Sequence, residues 1–114
     1  MARLYGTLGD ITRATQPDLI LRVVSFFESN FELQSKNNIH ILFHDEHGSR
    51  INGIIRSRSM RLYRDVFKEG KVYAIHNYNV ECNNQRINTT GHRWILVLHP
   101  KTNVFTYDGN FPHH

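Results

Sequence analysis

Between Ile39 and Arg56 the sequence alternates about a polar turn, and this pattern limits what the chain can fold into more than any other stretch does. Ile39-His40-Ile41-Leu42-Phe43-His44 is followed by Asp45-Glu46-His47-Gly48, and then by Ser49-Arg50-Ile51-Asn52-Gly53-Ile54-Ile55-Arg56. Two extended runs joined by four turn residues ending in glycine predict an antiparallel hairpin. Side chains on a strand alternate between faces, so Ile51, Gly53 and Ile55 are expected inward. Arg50, Asn52, Ile54 and Arg56 are then expected outward together, with Arg58 continuing the row. A hairpin with one apolar face has to lay that face on a core supplied by the rest of the chain.

The flanking segments supply that core. Leu19 to Phe27 is β-branched and aromatic, too apolar for a simply alternating strand, as expected of a long, bent strand paired on both edges. Phe26 and Phe27 are neighbours, so a straight strand cannot bury both, and one is expected at the mouth of the first loop. Glu28 to Asn38 is a polar connection of the kind that carries recognition. Ser59 to Gly70 changes period, with Leu62 and Tyr63 answered by Val66 and Phe67, a serine at the start and a glycine at the end, which predicts one short helix. Lys71 to Val80 and Gln85 to Leu98 supply two further strands around an Asn-rich turn, with Trp94, Leu96 and Leu98 sharing a core-facing side. The resulting fold class is all-β: a five-stranded closed antiparallel barrel of the oligonucleotide-binding (OB) type, with one short helix between strands three and four.

At 114 residues the chain fits a single domain, residues 1–114, with a core from about 18 to 107 and a mobile C-terminal tail over 108–114. Its 14 Lys and Arg against 10 Asp and Glu give a formal net charge of +4, carried mostly by arginine, which suits phosphate, carboxylate and base stacking. Cys82 is the single cysteine, so no intramolecular disulfide can form. No apolar run approaches the roughly 20 residues of a membrane helix, and no membrane partner is expected. The N-terminus lacks the apolar stretch of a secretory signal.

The segments Asp45 to Ile51, Phe67-Lys68-Glu69-Gly70-Lys71-Val72-Tyr73 and Trp94-Ile95-Leu96 resemble, in order and spacing, the OB domains of the replication protein A large subunit. The resemblance is to the divergent plant copies, and it runs from about Leu8-Gly9-Asp10 to Val104. It implies single-stranded DNA binding, with RNA as another candidate ligand, in a nuclear protein of DNA replication, repair or recombination. Further OB domains or replication protein A subunits are the implied partners. The family stacks bases on two aromatics, one on strand three and one at the start of strand five, and here those positions are Arg56 and Ile87. A guanidinium plane can replace a ring in part, whereas Ile87 does so less well.

The candidate nucleic-acid-binding residues are therefore Arg50, Asn52, Arg56 and Arg58 on the outer row, Arg86 and Ile87 after the Asn-rich turn, and Phe27, Lys36 and Tyr78 at the loops. The bland alternative for such a row is a solvated basic face. Arg61 and Arg64 lie on the expected helix, solvated or paired with Asp65 and Glu69. His40 and His44 share the outward face of strand two, but residues four apart on a strand are about 13 Å apart, too far for one metal ion to bridge. No metal or other cofactor is expected. No phosphate loop, nucleophile elbow or paired-cysteine signature is present, and Cys82 with His76 is the only tempting nucleophile pair, so the chain is read as a non-enzyme. The rival reading is an OB module that binds an acidic segment of a protein partner.

Overall fold

The computed structural model describes residues 5–31, 36–83, 90–109 and 111, with the backbone alone over 29–31 and 36–37. The expected hairpin is present. Strand β2 (Lys36–His44) pairs antiparallel with β3 (Arg50–Ile55), His44 opposite Arg50 and Ile39 opposite Ile55. The turn is held by Asp45, whose carboxylate accepts hydrogen bonds from the backbone N–H groups of His47 (3.0 Å) and Ser49 (2.9 Å). Gly48 takes φ 83°, a left-handed conformation that glycine adopts without a Cβ clash. Ile51, Gly53 and Ile55 are buried and Arg50 is exposed, as alternation predicts.

Strand β1 (Leu19–Phe31) is longer than expected and pairs with both β2 and β4 (Val72–His76). Its register with β2 shifts between Val23 and Ser25, a β-bulge that bends the strand. The polar stretch expected to be the loop from Glu28 to Asn38 is mostly ladder, with Glu28 opposite Ile39, Ser29 opposite Asn38, Asn30 opposite Asn37 and Phe31 opposite Lys36. Backbone pairing needs no apolar side chains, so polarity alone did not mark a loop there. Because β4 covers β1 only from Leu19 to Arg22, the distal half of the β1/β2 ribbon runs past the core. Phe26 and Phe27 both lie in that half, so not one but both are exposed (42% and 62%).

The expected strand 71–80 is two strands, β4 and β5 (Asn79–Cys82), separated at Asn77, which has φ 59°. β6 (Trp94–Val97) pairs parallel with β3 and antiparallel with β5, and an additional β7 (Asn103–Thr106) pairs with β4. Among the described residues the sheet thus has seven strands, in the order β5-β6-β3-β2-β1-β4-β7. β4 and β5 are separated by two residues in sequence yet stand near opposite ends of that order, so the sheet is curled. The helix is also shorter than expected: α1 is the single turn Met60–Tyr63, entered through a 3-10 turn at Ser57–Ser59. The hydroxyl of Tyr73 accepts the Lys68 N–H (2.8 Å), and Gly70 donates its N–H to the Val23 carbonyl (2.8 Å), so these amides serve β1 and β4 instead of a longer helix.

The interior is filled by Leu19, Leu21 and Val23 from β1, Ile41 and Phe43 from β2, Ile51 and Ile55 from β3, Ile75 from β4 and Leu96 from β6. Trp94 and Leu98 join them, on the side the sequence predicts. Leu8 and Ile11 close one end from the N-terminal segment, and Leu8 donates its N–H to the Asp45 carboxylate (3.2 Å).

Candidate nucleic-acid interface

With the inward residues packed on the core, the outward ones form rows across the sheet. Register places Phe27, His40, Ile54, Val97 and Asn79 in one row across β1, β2, β3, β6 and β5. Ser25, Leu42 and Asn52 form the next row, and Arg22, His44 and Arg50 a third. Arg50 and Arg56 lie at opposite ends of β3, about 20 Å apart along an extended strand, so they do not converge on one point.

The Arg56 end opens into a groove of about 340 Å³, lined by Arg13, Arg56, Arg58, Glu81 and His99 around Val97 and Asn79. Arg56 Nη2 donates to Glu81 Oε1 at 2.7 Å. That hydrogen bond is the main cause of two opposite shifts: the Arg56 pKa is raised and the Glu81 carboxyl is held below its usual value. Arg13 reaches into the groove with its guanidinium 5.7 Å from the Trp94 ring centre and Nη2 3.7 Å from Cys82 Sγ. Arg13 and Glu81 were not among the predicted site residues. Arg13 lies before the first strand and Glu81 follows a bend, and no local pattern connects either to β3.

At the other end His44, expected to face outward with His40, is only 6% exposed. The Phe111 ring lies 5.4 Å from the His44 ring and 4.9 Å from the Arg22 guanidinium, covering this end of the face.

Of the predicted site residues, Arg50, Asn52, Arg56, Arg58 and Phe27 lie on or beside the outer face. Tyr78 does not. It is 2% exposed and donates its hydroxyl hydrogen to the Pro17 carbonyl (2.6 Å), with burial the leading cause of a strongly raised pKa. The Asn77 bend turns it inward, so it is a core residue rather than a loop contact. Arg86 and Ile87 lie outside the described residues, as does the side chain of Lys36. His76 and Cys82 are engaged elsewhere, His76 with its Nδ1 3.0 Å from the Asp18 carboxylate and Cys82 with Arg13. Arg64 stands 4.0 Å from Glu28 rather than beside Asp65 or Glu69. Among the described residues no three metal-capable side chains are gathered.

A curled, mostly antiparallel sheet with β3 and β6 parallel and one helical turn after β3 defines an OB fold. A replication protein A heterotrimer bound to single-stranded DNA superposes with a TM-score of 0.82 at 11% identity, over 97% of this chain and 27% of that one. The OB domain of Ta0387 from Thermoplasma acidophilum gives 0.66 at 14% identity, over 96% and 92% of the two chains. Fission yeast Pot1 with single-stranded DNA gives 0.63 at 11% identity, over 92% of this chain and 40% of that one. No curated protein sequence matches. The family described as "Domain of unknown function DUF223" matches residues 13–113, and the chain belongs to that family.

Proposed function

We propose that this domain is a non-enzymatic module that holds single-stranded DNA across the outer face of β2 and β3. The observation that carries this reading is the outward row of β3 running into a groove where Arg13, Arg56 and Arg58 surround Asn79, Val80 and Val97. Arginines at such a site meet phosphates, while the half-buried Asn52 and Ile54 beside them present hydrogen-bonding and apolar surface to bases. Structural neighbours that carry single-stranded DNA support the reading. On it, β4 and β5 act as one strand bent at Asn77, which completes a five-stranded closed barrel with β7 added outside. The domain then serves DNA replication, repair or recombination in a nuclear protein, beside other OB domains, as a divergent, plant-like copy of the replication protein A large-subunit type.

Fluorescence anisotropy with a labelled oligo-dT tests the reading. Binding is expected to weaken as salt rises, because phosphate contacts release counterions with a slope of about −0.7 per contact on single strands. The double substitution R56A/R58A, which removes two such contacts, is expected to flatten that slope by about 1.4. An absence of binding at low salt overturns the proposal, and tighter binding of the matching oligo-U points to RNA instead.

Glu81 has a further consequence for this groove. Its carboxylate occupies Arg56 and adds a negative charge where a phosphate has to sit. Glu81→Gln is therefore expected to raise affinity about fivefold, the equivalent of about 1 kcal/mol for one charge at close range in a solvated site, and to steepen the salt dependence. Titration of the variant beside the parent checks this. The same pair favours one second reading: a groove that already holds a carboxylate can accept an acidic peptide. If such a peptide binds and oligo-dT does not displace it, the protein-interaction reading replaces the first.

A further inference from the structure

The positions at which the resemblance implies stacking rings are Arg56 and Ile87, yet the outer face does carry an exposed aromatic, two strands away from Arg56. Phe27 has the highest exposure among the exposed large hydrophobic side chains described, and it lies on the outward side of β1. Its cross-strand partner on β2 is His40, and the two rings are stacked, with centroids 4.9 Å apart and planes 16° from parallel. One face of the phenyl ring is thus backed by the imidazole. Partial burial lowers the His40 pKa, which keeps the imidazole neutral at pH 7 and suited to flat stacking.

The row containing this pair continues through Ile54 to Val97, which lines the arginine groove. At about 4.8 Å between strands, Phe27 and Val97 are about 14 Å apart across the sheet. An uncharged, ring-led stripe therefore crosses the face from β1 to the groove. Phe26 alternates to the other face of β1, opposite Ile41, and lines a hollow with Ile39, Glu28 and Arg64 that Phe27 borders at the strand edge, while Phe105 packs edge-on against His76 on β4. Neither shares the stripe.

We propose that Phe27, backed by His40, is the base-stacking platform of this domain, displaced from β3 to the β1/β2 ribbon, with the stripe leading to phosphate contacts in the arginine groove. The proposal rests on the single-stranded nucleic acid reading above and specifies where a base is held.

The test measures binding of labelled oligo-dT, and of an abasic oligonucleotide of equal length, to the parent chain, F27A, F27L and F27W at several salt concentrations. Phe27→Ala is expected to weaken oligo-dT binding roughly 5- to 150-fold, the range for one aromatic–base stack. Its salt slope should match the parent's, since no phosphate contact is lost. Phe27→Leu should lose most of the affinity although it keeps apolar bulk. Phe27→Trp should keep it, with tryptophan emission quenched on adding oligo-dT beyond any change seen for the parent. All four proteins should bind the abasic strand alike. Equal oligo-dT binding by parent and F27A overturns the platform while leaving the function standing, as does a loss by F27A that is equally large on the abasic strand. Failure of the parent to bind oligo-dT at low salt overturns the function, and the platform with it. If F27A melts at a lower temperature than the parent, F27L and F27W decide, because both preserve bulk at the site.

Discussion

Asp45→Ala is expected to destabilise the domain by about 4.5 kcal/mol, given roughly 1.5 kcal/mol, the low end for a charged acceptor, for each of three hydrogen bonds to its carboxylate. The side chain is 4% exposed and accepts from the N–H groups of Leu8, His47 and Ser49. Alanine leaves those three donors without their acceptor, the Leu8 N–H in a buried position. Asp45→Asn keeps one oxygen and should cost about half as much, with the loss concentrated at Leu8, because an amide NH₂ turned toward the Leu8 N–H is a donor facing a donor. Urea denaturation gives the two free energies, and amide hydrogen exchange at Leu8 separates loss of the N-terminal plug from loss of the turn.

Phe43→Ala is expected to cost about 4 kcal/mol, within the range for removing a buried ring and leaving a cavity. The ring is fully buried and packs edge-on against Phe67 at 5.8 Å. It also lies over Gly53 so closely that a Cβ there would stand 2.7 Å from Phe43 Cε2. Gly53→Ala alone should therefore cost about 1–3 kcal/mol by overpacking, since a ring held by Phe67 cannot swing away. In the double variant the new methyl group enters space that the ring vacated, so the two costs should sum to less than their separate total by at least about 1 kcal/mol. Strict additivity in thermal or urea unfolding contradicts this packing.

The hairpin that Asp45 and Gly53 hold together was legible because its signals are local. Alternation over Ile51 to Ile55 fixes the facing of each side chain, and the same rule placed Trp94, Leu96 and Leu98 on the core. Features set by what lies across the sheet were not legible. Whether Phe26 or Phe27 is buried depends on how far β4 extends along β1, which neither residue encodes. Tyr78 faces inward because Asn77 adopts a left-handed turn, and an Asn within a strand-like run does not announce one. The polar ribbon from Glu28 to Asn38 reads as a loop because its ladder is made by backbone groups common to every residue. Half of the groove was visible as the outward row ending in Arg56 and Arg58. Arg13 and Glu81 arrive from distant parts of the chain, so only the folded topology brings them to it.

Phe111 gives the outer face two unlike ends. Resting on Arg22 and His44, it stops one end with the chain's own aromatic ring, while the Arg56 end is flanked by polar side chains and open to solvent. Among the described residues the outer face is thus bounded at the Arg22–His44 end by a ring from the chain's own C-terminal segment and bears no such ring at the Arg56 end.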